Sequence, residues 1–140
     1  AKAYLDTTDL SYEEVSVASS NEVQQAAQSL AERVDAIYIP IDSTVQSAMP
    51  QVVEAANAAG IPVYGSDPVM VQSGALACVS VSNTQLGERS AEMAFDILQG
   101  KAVAEVPAEA MTSFQYVCSA AAAETLGIAL PEDGSVTVID

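Results

Sequence analysis

The chain is 140 residues long, half of its residues are hydrophobic, and 19 acidic against four basic side chains give a net charge of −15. This length suits one domain with a packed core, and the hydrophobic content excludes intrinsic disorder. The surplus of carboxylates argues against binding to DNA, RNA or an anionic membrane surface. The sequence also has no His, the side chain that most often acts as general base or metal ligand. We therefore expect a folded domain that is not an enzyme and has no metal site and no cofactor.

Short β-branched segments alternate with segments of helical periodicity along the chain. Strands are predicted at 12–17, 36–40, 61–64, 75–81, 114–118 and 136–139. Helices are predicted at 22–34, 44–60 with a slight bend near Pro50, 68–73, 84–98 and 119–126. The short links between them favour parallel strands joined by right-handed crossovers. The expected fold class is α/β, a parallel sheet flanked by helices.

The first residues do not fit this alternation. Lys2 to Leu5 have the character of the last turns of a helix, yet no strand precedes them. A strand–helix–strand unit that starts inside its helix suggests a fragment of a longer protein, and a ragged native N-terminus is the alternative. No apolar run approaches the roughly 18 residues that a membrane span needs.

Small polar residues follow three of the predicted strands, where the next helix starts. They are Ser19, Ser20 and Asn21, then Asp42, Ser43 and Thr44, then Ser66 and Asp67. Ligands of open parallel sheets bind at the carboxyl ends of strands. Helix N-termini there suit a carboxylate, and the hydroxyl and Asp side chains suit an ammonium group, which together match an amino acid. The same residue types are also ordinary helix N-caps, so each junction has a purely structural interpretation as well.

Other chemistry-bearing patterns are weak. Cys78 and Cys118 lie far apart in apolar, strand-like segments, which predicts two buried hydrophobic side chains, and whether they form a disulfide stays open. The sequence contains no GxGxxG or GxxxxGK[ST] loop and no GxSxG elbow. These absences argue against a phosphate-binding loop and a serine hydrolase.

Several segments carry a family resemblance in their order and spacing. They are 21–30 (NEVQQAAQSL), 34–40 (VDAIYIP), 59–66 (AGIPVYGS), 71–77 (VQSGALA), 94–101 (AFDILQGK) and 125–128 (TLGI) followed by Pro131. Over nearly the whole chain, these segments resemble the ABC-transporter substrate-binding proteins of the tryptophan/tyrosine-type uptake family. The chain departs from that pattern at Asn83, Thr84 and Gln85, where the family often has aromatic residues.

The resemblance implies a periplasmic-binding-protein type I fold, in which two α/β lobes close over a solute on a hinge. Residues 1–140 would form a single lobe, the C-terminal one. The helix within 84–101 would then pack on the missing first lobe or on a partner chain, and the isolated fragment would self-associate. Ligand contacts would fall on the eight polar residues at the three junctions named above.

The function implied by the resemblance is that of a solute-binding component of an ABC importer. Its ligand would be a small polar solute such as an amino acid, with aromatic amino acids among the candidates. Its protein partner would be the transporter permease. The protein would be exported, either periplasmic or an extracellular membrane-anchored lipoprotein. The alternative is an effector-sensing domain of a transcription regulator with the same fold, which would need a helix-turn-helix upstream.

Overall fold

The computed structural model describes residues 2–140. The helices are α1 (Lys2–Leu5), α2 (Ser20–Ala31), α3 (Ser43–Gln46), α4 (Met49–Ala59), α5 (Pro68–Gln72), α6 (Asn83–Leu98) and α7 (Ala120–Leu126). The strands are β1 (Ile37–Tyr38), β2 (Val63–Gly65), β3 (Ala77–Ser80), β4 (Gln115–Ser119) and β5 (Thr137–Ile139). Within these residues no helix has both the length and the apolar character that crossing a membrane requires.

The five strands form one sheet in the order β1-β2-β3-β4-β5, which confirms the α/β class. β1, β2 and β3 are parallel, and β5 is parallel to β4. The expectation of parallel pairing throughout is wrong at β4, which runs antiparallel to β3 with Gln115 opposite Ser80. The reason lies in the connection: after α6 the chain returns through the long link 99–114, which contains one short 3₁₀ helix (Val103–Glu105), and so enters β4 where β3 ends.

The predicted strand at 12–17 does not form. These residues have no strand assignment, and Val15 is 42% exposed. The β-branched sequence favours an extended conformation, but a strand also needs a hydrogen-bonded neighbour, and no other strand within residues 2–140 pairs with this segment.

The long helix predicted from Thr44 to Gly60 is divided into α3 and α4. Pro50 lies in the first turn of α4, where its missing N–H costs no helical hydrogen bond. The chain therefore restarts the helix at this proline and does not bend around it. Gly60 ends α4 in the left-handed conformation, with φ of 71°, as expected for a glycine after a helix.

The main core lies between the sheet and the helices α2, α4 and α5. Every fourth residue of α2 is buried, namely Val23, Ala27 and Ala31, because these positions share one helical face. On α4 and α5, Met49 and Met70 have no exposed surface. They pack in one cluster with residues of β1 and β2, of which Ile37 and Val63 are buried.

The opposite face of the sheet is largely uncovered. Strand register places the following five side chains on that face, each between 39% and 57% exposed: Tyr38, Tyr64, Val79, Tyr116 and Val138. No residue of α6 is buried, and its Phe95 and Leu98 are 60% and 82% exposed. Large apolar side chains exposed together are typical of surfaces that another element or chain covers.

The close contact between β2 and α5 gives a stability prediction. A Cβ atom added to Gly65 would lie 2.7 Å from Cβ of Met70, which is fully buried and has no room to move. We expect Gly65→Ala to lower the free energy of unfolding in urea by about 1–3 kcal/mol, as overpacked cores do. Gly87→Ala in the exposed α6 is the control, since an added Cβ meets nothing within 4 Å. This control is expected to stabilise the chain by up to about 1 kcal/mol, and equal effects of the two substitutions would contradict the packing described.

The exposed face of α6 gives a second prediction. We propose that the 140-residue chain self-associates through Phe95 and Leu98, which neighbour each other on α6 and are both exposed. Sedimentation velocity is expected to show a concentration-dependent dimer that the double variant Phe95→Lys/Leu98→Lys abolishes. Gln85→Lys, on an exposed polar residue of the same helix, is expected to leave the dimer intact. A wild-type chain that stays monomeric at all concentrations would contradict this proposal.

Candidate functional site

The carboxyl ends of β1, β2 and β3 meet at one edge of the sheet because these strands are parallel. Beyond them the chain turns into α3, α5 and α6, and a polar side chain caps each helix. Asp42 Oδ1 accepts a hydrogen bond from the Val45 N–H (3.0 Å), and Asp67 Oδ1 accepts one from the Val69 N–H (2.8 Å). At the third junction, Ser82 Oγ accepts from Gln85 N–H (3.3 Å). All three helix starts therefore lie at the edge where open sheets bind ligands.

Asp42 and Asp67 are the two charged groups among the predicted site residues. They follow the neighbouring strands β1 and β2. Asp42 is exposed and Asp67 half-buried. The hydrogen bonds found for residues 2–140 include one cap bond to each carboxylate, and in both cases only Oδ1 is engaged. The second oxygen of each carboxylate is available to a ligand donor.

The remaining polar residues at these two junctions differ in exposure. Ser43 is exposed at the first position of α3, and Thr44 beside it is half-buried. Ser66 is half-buried, and its hydroxyl lies 3.9 Å from the sulfur of Met70, at most a weak hydrogen bond. The hydroxyl of Ser66 is thus free to rotate toward a polar group at the edge.

Ser19, Ser20 and Asn21 lie at the start of α2, which follows the unpaired segment 12–17 and not a strand of the sheet. Ser19 Oγ is bonded to Glu22 Oε1 (3.2 Å), and Glu22 Oε2 accepts the Ala18 N–H (3.0 Å). The sequence Ser-x-x-Glu has the form of a capping box, but the Ser19 side chain makes no cap bond to the helix. The structure therefore brings Asp42 and Asp67 to neighbouring strand ends, whereas Ser19, Ser20 and Asn21 follow a segment that is not paired in the sheet.

Two features of this edge were missed by sequence reasoning. Ser82 caps α6 at the end of β3, and the prediction placed the start of that helix one residue late, so its cap was overlooked. Gln115 Nε2 donates to Oγ of the buried Ser80 (3.0 Å). The Ser after a predicted strand is a signal that could have found Ser82. Gln115 reaches this edge only because β4 is antiparallel, which the sequence did not indicate.

The charge around the edge is negative. All four basic side chains of the sequence form ion pairs elsewhere: Lys2 with Glu14, Arg33 with Glu13, Arg89 with Glu92 and Glu109, and Lys101 with Asp96. The Arg89 guanidinium, for example, lowers the pKa of Glu109 through a direct hydrogen bond and keeps that carboxylate ionised. No ion pair found within residues 2–140 involves Asp42 or Asp67, so this edge favours a cationic group on a ligand.

The cysteines take no part in the site. Cys78 and Cys118 are both free and buried, which answers the question that the sequence left open. Cys118 is opposite Ala77 in the ladder, so its side chain points to the other sheet face from that of Cys78. Burial raises the pKa of both thiols and favours the unreactive protonated form. Nor do residues 2–140 contain any group of three or more potential metal-ligating side chains.

The chain is similar in sequence to known substrate-binding proteins. The family model described as "ABC transporter substrate binding protein" matches residues 1–138. Among curated relatives, a tyrosine-binding protein of Clostridioides difficile is 36% identical over 104 residues, covering 74% of this chain and 30% of that protein.

Solved structures show the same similarity over 99% of this chain. A domain from Streptococcus pneumonia in complex with L-Trp is 33% identical with a TM-score of 0.83 over 48% of its own chain. A ligand-free, open substrate-binding protein with adhesive properties from Clostridium difficile is 30% identical with a TM-score of 0.85 over 47% of its chain. The chain thus spans about half the length of these solved relatives. The matches confirm the resemblance seen in the sequence, and the chain belongs to the ABC transporter substrate-binding protein family.

Proposed function

We propose that this chain is one lobe of the solute-binding component of an ABC importer, and that it binds an amino acid at the carboxyl edge of β1–β3. The observation that carries the proposal is the pair of carboxylates, Asp42 and Asp67, at the ends of neighbouring parallel strands, each with only one oxygen engaged in a cap bond. Relatives support the choice of ligand, since one is named a tyrosine-binding protein and another is solved with L-Trp.

In this proposal the α-ammonium group of the ligand donates to the free oxygens of Asp42 and Asp67. A hydrogen bond between charged groups contributes about 1.5–3 kcal/mol. The ligand carboxylate accepts hydrogen bonds from the neutral polar side chains at the start of α2. The Glu22 carboxylate already interacts with the Ser19 hydroxyl and the Ala18 N–H there, so the helix dipole has no part in this contact. The side chains of Ser19, Ser20, Asn21, Ser43, Thr44 and Ser66 supply the neutral hydrogen bonds.

The proposed mechanism is closure of two lobes around the solute. A ligand that contacts both lobes binds the closed form more tightly than the open form, and this difference in affinity sets how far the equilibrium shifts toward the closed form. The transporter permease then recognises the closed form, and no covalent bond is made or broken. This role places the protein outside the cytoplasm, in the periplasm or on the cell surface as a membrane-anchored lipoprotein.

The carboxylates give a direct test on the protein expressed from its complete reading frame. We expect Asp42→Asn and Asp67→Asn each to weaken binding of L-tyrosine or L-tryptophan by roughly 10- to 100-fold in isothermal titration calorimetry, because each removes one charged hydrogen bond. Asn is as good an N-cap as Asp, so both variants are expected to keep their helix starts and their melting temperature.

Asp35→Asn is the matched control. Asp35 is exposed and precedes β1, at the opposite edge of the sheet, so its neutralisation is expected to leave the affinity unchanged. If Asp35→Asn weakened ligand binding as much as Asp42→Asn and Asp67→Asn do, the loss of affinity would be an effect of net charge, which would contradict the proposed site. Absence of binding for all amino acids, together with specific DNA binding by the complete protein, would favour the regulator alternative.

A further inference from the structure

Ser80 and Gln115 form the last pair of the β3–β4 ladder at the carboxyl end of β3. Gly65 is the last residue of β2 and pairs with Cys78, whereas Ser80 lies two residues farther along β3. Strands rise about 3.3 Å per residue, so the Ser80–Gln115 pair extends roughly 7 Å beyond the end of β2. The turn that carries Asp67 starts directly after Gly65. The pair therefore lies beside this turn, at the edge that holds the candidate site.

The side chains of Ser80 and Gln115 point to the sheet face that α5 covers. Directly opposed residues of a ladder share a face, and so do residues two apart on one strand. Both residues thus share a face with Cys78, which packs against Val71 of α5. The pKa of the Cys78 thiol is raised by burial and, to a smaller extent, by the charge of the nearby Asp67 carboxylate. Gln115 and Asp67 therefore flank the same part of the edge.

The surroundings of Ser80 determine which end of the Gln115 amide faces the edge. Ser80 is buried, and its Oγ accepts a hydrogen bond from Nε2 of Gln115 (3.0 Å). The Ser80 hydroxyl also lies beside the Cys78 thiol and counteracts the effect of burial on its pKa, as a hydrogen-bond donor does. Because the hydroxyl hydrogen is directed to the sulfur, the oxygen is left to accept from the amide. Nε2 thus faces Ser80, and Oε1 points away from it.

Oε1 of Gln115 is an acceptor held in place without a partner. Within residues 2–140, every fully buried side-chain nitrogen or oxygen has a hydrogen-bond partner. None is found there for this oxygen, and Gln115 is half-buried, so Oε1 is accessible from the edge. Ligand sites use a small number of such positioned polar groups to give specificity.

The order of the strands places Gln115 where the side chain of the ligand lies. The ligand carboxylate is proposed at the start of α2, which lies on the outer side of β1, because the segment before α2 lines one groove with β1. The ammonium group is proposed at Asp42 and Asp67, after β1 and β2. The rest of the ligand then extends toward β3 and β4. Neighbouring strands are about 5 Å apart, so β4 is roughly 10 Å from β2, across the width of one amino acid side chain.

We propose that Gln115 is a specificity-determining residue that selects amino acids whose side chain carries an N–H or O–H donor. Its Oε1 accepts a hydrogen bond from that donor, and an amino acid of similar size without a donor leaves the oxygen buried and unpaired. A buried acceptor without a partner costs more free energy than a formed hydrogen bond contributes, so discrimination acts mainly against the wrong ligand. This inference rests on the proposed function, since it takes an amino acid to be bound at this edge.

Isothermal titration calorimetry with matched ligands tests the proposal on the protein expressed from its complete reading frame. The ligand pairs are L-tyrosine with L-phenylalanine and L-glutamine with L-methionine, which are similar in size and differ in a side-chain donor. We expect the donor-bearing member of a pair to bind at least about 10-fold more tightly than the other member.

Variants of Gln115 separate specificity from a structural role. Gln115→Leu removes the acceptor and is expected to reduce the preference within a pair to less than about 3-fold. Gln115→Glu keeps an acceptor oxygen at this position and is expected to retain the preference. A purely structural role would weaken both members of a pair equally and leave their ratio unchanged. Gln51→Leu, at an exposed glutamine on the outer surface of α4, is the control and is expected to change neither affinity.

Three results would overturn this inference while the proposed function stands. They are equal affinities within each pair, a preference that Gln115→Leu leaves unchanged, and an amino acid without a side-chain donor that binds more tightly than every donor-bearing one. If none of the standard amino acids binds, the proposed function fails and this inference fails with it.

Discussion

Met49 and Met70 have no exposed surface. They pack α4 and α5 against one face of the sheet, and the arrangement of the rest of the lobe depends on this packing. Interiors are close-packed, so α4 and α5 have a defined position over β1 and β2. With the helices on that face, the strands they join must be parallel and their carboxyl ends must meet at one edge. The position of Asp42 and Asp67 at neighbouring strand ends is therefore a consequence of core packing.

Local pattern was sufficient to predict most of the elements. The helical spacing of apolar residues within 22–34 predicted α2, and the continuous apolar segments predicted β1 to β3. What the pattern could not predict depended on distant partners. The β-branched segment 12–17 lacks a paired neighbour, and the direction of β4 was decided by the long link after α6. Neither strand pairing nor strand direction can be read from the local periodicity of a sequence.

The candidate site shows the same division between local and distant information. Polar residues after predicted strands located Asp42 and Asp67, but an Asp there is required as a cap whether or not a ligand binds. Only the structure shows that each carboxylate uses Oδ1 alone for its cap. Gln115 joins the edge through an antiparallel strand and a hydrogen bond to Ser80, a contact across 35 residues that no motif records.

The most direct test of this account is an amide chemical-shift map of the complete protein titrated with L-tyrosine. The account predicts saturable shifts that are largest at residues 19–21, 42–44 and 66–67, because these lie where the ammonium and carboxylate groups of the ligand are placed. Saturable shifts confined to the outer surfaces of α2 and α4, around Gln28 and Gln51, would contradict it, as would the absence of any saturable change.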